Sequence, residues 1–155
     1  MVSYKIKKNQ IGGNLLTFQY PIQTRYAETG QDGIIHHSSY VLYLEEARIE
    51  FFKSLGCYIN RLEQEKIFCP VVDLNIQYLK PLHSLEKILV EVKIEKFSRV
   101  RLCLNYRILK DNICMAKGST SHCFVNAFFK PIAIAQDFFI VLEAYKSKEK
   151  TLTSN

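Results

Sequence analysis

Apolar residues recur at every second position in Leu15–Arg25, where Leu16, Phe18, Tyr20 and Ile22 share one face, and this period of two predicts a strand. A polar, glycine-bearing loop follows, YAETGQDGIIHHSS over 26–39. Ser38 or Ser39 is expected to cap the next element, because a serine oxygen accepts a hydrogen bond from an otherwise orphaned amide. That element is a helix over Tyr40–Leu55, read from Val41, Leu44, Ala47, Phe51 and Leu55, with Gly56 as its left-handed stop. It is apolar nearly all round its first turn and a half, which predicts deep burial. Ile59–Lys66 reads as one or two further helical turns.

The second half returns to the period of two. Val72, Leu74, Ile76 and Tyr78 alternate with polar residues until Lys80-Pro81 ends the run. Ile88, Val90, Val92 and Ile94 form a second such set, and Val100, Leu102, Leu104, Tyr106 and Ile108 a third. Asp111-Asn112 makes a tight hairpin turn, since both residues tolerate left-handed backbone. Ile113–Val125 is the last long strand and Ala135–Ser147 a terminal helix. One apolar helix with about five antiparallel strands predicts a two-layer α+β domain over 15–134. A loose leader over 1–14 precedes it, and a helix and tail over 135–155 follow.

Composition narrows the function. The chain of 155 residues has no apolar run long enough for a transmembrane helix and no signal-peptide pattern at its start, so membrane insertion is not expected. Cysteines 57, 69, 103, 114 and 123 form no CxxC pair and are odd in number. They read as reduced, mostly buried thiols of a cytoplasmic protein, with neither a metal site nor a disulfide framework. The net charge of +6 fits plain solubility or attraction to a polyanionic small molecule. It comes with no basic stripe or motif for nucleic acid, which is therefore not an expected partner.

The stretch RYAETGQDGIIHHSSYVLYLEEARIEFFKSLG, Arg25–Gly56, resembles the opening of the YbgC / 4-hydroxybenzoyl-CoA thioesterase family. The loop, the histidine, the tyrosine, the E-x-A-R helix and the closing L-G stand together at family spacing. The resemblance implies a hot-dog fold, in which an antiparallel sheet wraps one long central helix. It implies a homodimer or homotetramer with the active site at the dimer interface, near the N-terminus of that helix. It also implies hydrolysis of an acyl-CoA or acyl-carrier thioester, with no cofactor because CoA belongs to the substrate. A non-hydrolytic thioester binder is the alternative, since the family's essential aspartate falls on Gly30. A hot-dog hydratase or dehydratase fits the loop and helix pattern less well.

A thioester hydrolase needs a carboxylate to attack the carbonyl or activate water, and amides to hold the developing oxyanion. Asp32 is one candidate, in the glycine-bearing loop, although loop aspartates commonly serve turns. Glu46 is another, nine residues beyond His37 as in a different hot-dog branch, with an ion pair to Arg48 or Lys53 as its ordinary role. Glu45 reads as architectural and Glu28 as an exposed loop residue. His37 suits catalysis, substrate positioning or capping; His36 suits packing or exposure. Tyr26 matches a family tyrosine implicated in catalysis, and is equally a candidate for a buried structural role. Gly30 and Gly33 are candidates for substrate contact. Lys96, Arg99 and Arg101 flank the bend in EKFSRVR, where the family carries basic phosphate contacts. His122-Cys123 is a weak nucleophile pair, because strand neighbours face opposite ways.

Overall fold

The computed structural model describes residues 17–57 and 59–153, so the expected leader and the first two positions of the first strand lie outside the described residues. Five strands form one antiparallel sheet: β1 (Phe18–Gln23), β2 (Val71–Tyr78), β3 (Lys87–Phe97), β4 (Arg101–Lys110) and β5 (Ile113–Cys123). Their order across the sheet is β1-β3-β4-β5-β2, with β1 and β2 at the edges. Helix α1 (His37–Ser54) lies in the curve of the sheet, α2 (Ile59–Gln64) follows it, and α3 (Gln136–Thr153) closes the chain. This is the hot-dog arrangement, an α+β fold with its sheet around one long central helix.

The alternating strands bury the residues that their pattern predicts. Ile88, Val90, Val92 and Ile94 of β3 and Leu102, Leu104, Tyr106 and Ile108 of β4 are all core positions. Asp111 and Asn112 take φ of 49° and 63°, the mirror-image turn that matches strand twist in a two-residue hairpin. Gly118 lets α1 approach the sheet: a Cβ there would stand 2.9 Å from Leu44 Cδ1 and 3.3 Å from the Asn75 carbonyl. Helix α3 completes the core rather than trailing from it, since Phe138, Leu142 and Tyr145 are buried and Tyr145 meets Phe51 edge-on.

Four expectations need correction. The buried stripe of α1 is Tyr40, Tyr43, Leu44, Ala47, Phe51 and Phe52, while Val41 and Leu42 are exposed, so the first turns are not buried all round. Two tyrosines with an apolar body and a polar tip take inward positions beside Leu44, while Val41 and Leu42 face out. The helix cap is neither serine: His36 sits at the N-cap, and its Nδ1 accepts the Ser38 amide at 3.3 Å. In β2 only Ile76 is partly buried; Val72, Leu74 and Tyr78 are exposed, because β2 is an edge strand, paired on one side to β5. Of the five thiols only Cys57 is fully buried.

Candidate functional site

A 3-10 turn over Tyr26–Glu28 opens the loop that leads into α1. Glu28 fixes this turn twice. Its carboxylate accepts the Tyr43 hydroxyl at 2.5 Å and the Arg25 amide at 2.8 Å, and its carbonyl accepts the His36 amide at 2.7 Å. The loop is thereby tied both to the inward face of α1 and to its cap. Burial works against the Glu28 charge, but the Tyr43 and Arg25 donors outweigh it and hold the carboxyl below its usual value. Burial first, and then the bond to Glu28, push the Tyr43 phenol well above the ordinary tyrosine range. Glu28, expected to be exposed, is thus a fastening residue.

Beyond it the chain makes a miniature hairpin. The Gly30 amide donates to the Ile34 carbonyl at 2.9 Å, and the Gly33 amide to the Gly30 carbonyl at 3.1 Å. Gly33 has φ +77°, which few other residues adopt cheaply. Asp32 Oδ1 accepts the Ile34 amide at 3.2 Å and stands 3.0 Å from the point where a Cβ at position 30 would lie.

This hairpin forms one wall of a cleft of about 700 Å³. His36, His37 and Tyr40, the N-terminal end of α1, form its second side, and Tyr78–Pro81, the exit of β2, the third. Two contacts join these last two walls. Tyr40 meets Tyr78 edge-on with ring centroids 4.9 Å apart, and the Tyr78 hydroxyl donates to the His37 carbonyl at 3.0 Å. The His36 and His37 rings lie 4.0 Å apart. The cap engages His36 through Nδ1, which meets both the Ser38 hydroxyl at 2.7 Å and the Ser38 amide at 3.3 Å. The cleft therefore combines a carboxylate, two imidazoles, the positive end of a helix and an aromatic wall.

Other candidate residues stand elsewhere. Tyr26 is 79% exposed and does not line the cleft, which corrects the expectation of a buried tyrosine. Glu46 lies up the helix and accepts the Tyr20 hydroxyl at 2.9 Å, in place of the expected pair with Arg48 or Lys53. Arg48 instead faces Glu45 at 3.8 Å, and Lys53 pairs with Glu50 at 2.6 Å. Arg99 is engaged by α3: it donates to Gln136 and lies over the Phe139 ring at 4.3 Å. Lys96 and Arg101 are exposed at the same end of the sheet, away from this cleft. His122 is in the core and gives no exposed pair with Cys123. Among the described residues no cluster of side chains suits a metal ion.

The sheet wrapped about α1, with a polar cleft at the helix N-terminus, defines a class of thioesterase-like proteins. The chain belongs to the thioesterase-like superfamily, whose pattern it matches over residues 28–151. It is similar to YneP of Bacillus subtilis, 35% identical over 131 residues that span 83% of this chain and 95% of that one. It is also similar to the acyl-CoA thioesterase YbgC of Haemophilus influenzae, 21% identical over 77% of this chain and 90% of the other. Among solved structures, the DHNA-CoA thioesterase of Staphylococcus aureus superposes with a TM-score of 0.79 at 32% identity, covering 89% of this chain and 93% of its own. Among the described residues no helix is long and apolar enough to cross a membrane.

Proposed function

We infer that the protein is an acyl-CoA thioesterase that hydrolyses a CoA thioester to free acid and thiol. The observation that carries this reading is the Asp32 carboxylate at the mouth of the cleft, beside the site where the family aspartate would stand. Asp32 takes a proton from a water as that water attacks the thioester carbonyl. The positive end of α1, whose Ser38 and Ser39 amides are themselves bonded to His36, favours the oxyanion of the tetrahedral intermediate. The intermediate collapses by breaking the C–S bond, and the thiolate leaves with a proton supplied through His37 or solvent. Tyr40 and Tyr78 give the acyl portion an aromatic surface.

The working unit is a homodimer, alone or paired into a tetramer. Strand β2 presents an unpaired edge, with Val71, Val72, Leu74 and Tyr78 exposed beside it, and closed two-fold pairing removes both liabilities. Light scattering at micromolar protein should give at least twice the 18.1 kDa of one chain, and a monomer would refute this.

Gly30 favours a second reading, a thioester binder without turnover, because no carboxylate occupies the family position itself. Free-CoA release across a panel of aromatic and aliphatic acyl-CoAs separates the two. Turnover that falls in Asp32→Asn and His37→Ala supports hydrolysis; binding of acyl-CoA with no release of thiol favours the binder.

A further inference from the structure

We propose that the exposed aromatic tip Phe128-Phe129 of one protomer is the ledge on which the nucleotide end of a CoA thioester rests while its acyl end sits in the other protomer's cleft. The proposal rests on the thioesterase reading and on pairing through β2.

The tip is built, not loose. Asn126 Oδ1 accepts the amides of Phe128 at 2.9 Å and Lys130 at 3.1 Å, and the Asn126 amide donates to the Lys130 carbonyl at 3.0 Å. Phe129 is held at φ +56°, a conformation that a bulky side chain adopts only under local constraint. Its ring stacks on Phe68 with centroids 6.2 Å apart and planes 14° apart. Even so, Phe128 is 83% exposed and Phe129 73%. Two adjacent aromatic rings, one strained, are thus displayed to solvent on a rigid turn.

Within one chain this tip is remote from the cleft. It stands beside the entrance of β2, where Phe68 bridges to Val125, while the cleft is at the exit, Tyr78–Pro81. About eleven extended residues, roughly 35 Å, separate the two. Antiparallel pairing of β2 with a second copy reverses that relation. Full overlap of Val71–Tyr78 sets Val71 of one copy opposite Tyr78 of the other, and continuing the register sets Phe68 opposite Pro81. The partner's Phe68, and with it the tip stacked on that ring, then borders the cleft.

The chemistry selects the nucleotide end. Rings this exposed cannot shield an acyl group from water, but they offer a flat face on which a purine stacks. Lys130 is next to the tip, Lys66 precedes Phe68 by two residues, and Arg101 pairs with Cys123 at the same end of the sheet; all three cations are exposed. Glu65 and Asp137 face Arg61 at 3.5 and 3.4 Å, so these carboxylates are already partnered. A ring face with surrounding cations suits an adenine carrying phosphates.

The test is a Phe128→Ser/Phe129→Asn variant, asparagine being chosen because it tolerates positive φ. For an acyl-CoA its KM should rise about tenfold or more with kcat within about threefold. For the same acyl group on N-acetylcysteamine, which lacks the nucleotide, both constants should stay unchanged. An equal loss on both substrates would overturn the proposal. Mixing this variant with Asp32→Asn should restore a low KM, because the mixed dimer holds one site with an intact Asp32 and an intact tip from the other copy. Absence of restoration in verified mixed dimers would overturn action across the interface. Calorimetric titration with CoA itself is independent of turnover: the tip variant should bind about tenfold more weakly even if the protein hydrolyses nothing. Equal affinity in variant and parent, or no binding by the parent, would sink the ledge.

Discussion

Asp32 holds a carboxylate oxygen 3.0 Å from the point where a side chain at Gly30 would begin. Moving the acid two residues along this tight hairpin therefore leaves it beside the place it vacated. Gly30 is not among the positive-φ glycines, so its backbone accepts an L residue, and the nearest obstacle is the end of the Asp32 side chain itself. Asp32→Asn should lower kcat by about 10²–10⁴ with little change in KM, as expected for a general base. Gly30→Asp placed on that background should recover much of the loss. Steady-state kinetics of both proteins decide it, and undiminished turnover in Asp32→Asn removes Asp32 as the base. Glu46→Gln is the control and should keep kcat within about threefold, a change under roughly 1 kcal/mol.

The Glu28–Tyr43 bond joins the loop to the central helix, with the carboxylate side chain only 11% exposed. Glu28→Gln keeps the shape but removes the charge that three donors share. It should destabilise the fold by about 1.5–3 kcal/mol, the usual range for a hydrogen bond to a charged group. Tyr43→Phe should cost less, since Arg25 still answers the carboxylate. Urea denaturation of both single variants and the double variant measures the coupling, and additive losses would deny that the pair acts as a unit.

Strands β3 and β4 were legible in the sequence because one face of each is buried over four successive alternate positions, Ile88 to Ile94 and Leu102 to Ile108, so the period of two survives intact. In β2 the same period misleads about burial: Val72, Leu74 and Tyr78 alternate properly but lie at an edge, and edge position is a property of the assembled sheet. In α1 the pattern reads Leu44, Ala47 and Phe51 as inward, as they are, but misses Tyr40 and Tyr43 because tyrosine counts weakly as apolar, although Tyr40, Tyr43 and Ala47 stand at helical spacing and predict an inward phenol that needs a partner. His36 escaped as a cap because only its unprotonated Nδ1 can do a serine's work. The stretch Gly30–His37 was readable as a polar, glycine-bearing loop ahead of the helix, and the fold sets it along the cleft. The place of Glu46 was not readable that way. Nine residues raise it roughly 14 Å along the axis from His37 and carry it to Tyr20, away from the cleft.

Close approach at Gly118 makes a further prediction. In Gly118→Ala the new methyl would meet both Leu44 Cδ1 and the Asn75 carbonyl, and the carbonyl belongs to the sheet backbone and yields little. A loss of about 1–3 kcal/mol is expected from this overpacking. Trimming Leu44 relieves only one of the two contacts. The double variant Gly118→Ala/Leu44→Ala should therefore lose less than the sum of the singles, yet more than Leu44→Ala alone, in chemical denaturation.

His122 predicts a weakness toward acid. Its ring is 1% exposed, hydrogen-bonded through Nε2 to Thr120 Oγ1 at 2.8 Å, and Thr120 in turn meets the Tyr106 hydroxyl at 2.9 Å. Burial, and then the positive charge of Arg48, push its pKa down to about 4, only partly offset by the Cys69 carbonyl. An unfolded histidine titrates near 6.5, so as pH falls below that value the unfolded chain binds a proton that the native chain refuses. Stability is unaffected by this group above pH 6.5, declines between 6.5 and 4, and stops declining below 4. Between pH 7.5 and 5 the loss should be about 2 kcal/mol, read as a lower urea midpoint at unchanged slope. Glu28 and Glu86, both held below the usual carboxylate value, lose their contributions only at more acid pH, so they do not confuse this window. His122→Gln should flatten the profile between pH 7.5 and 5. If that variant does not fold, the ring resonances of the parent protein serve instead, and a His122 that titrates near 6.5 would refute the account.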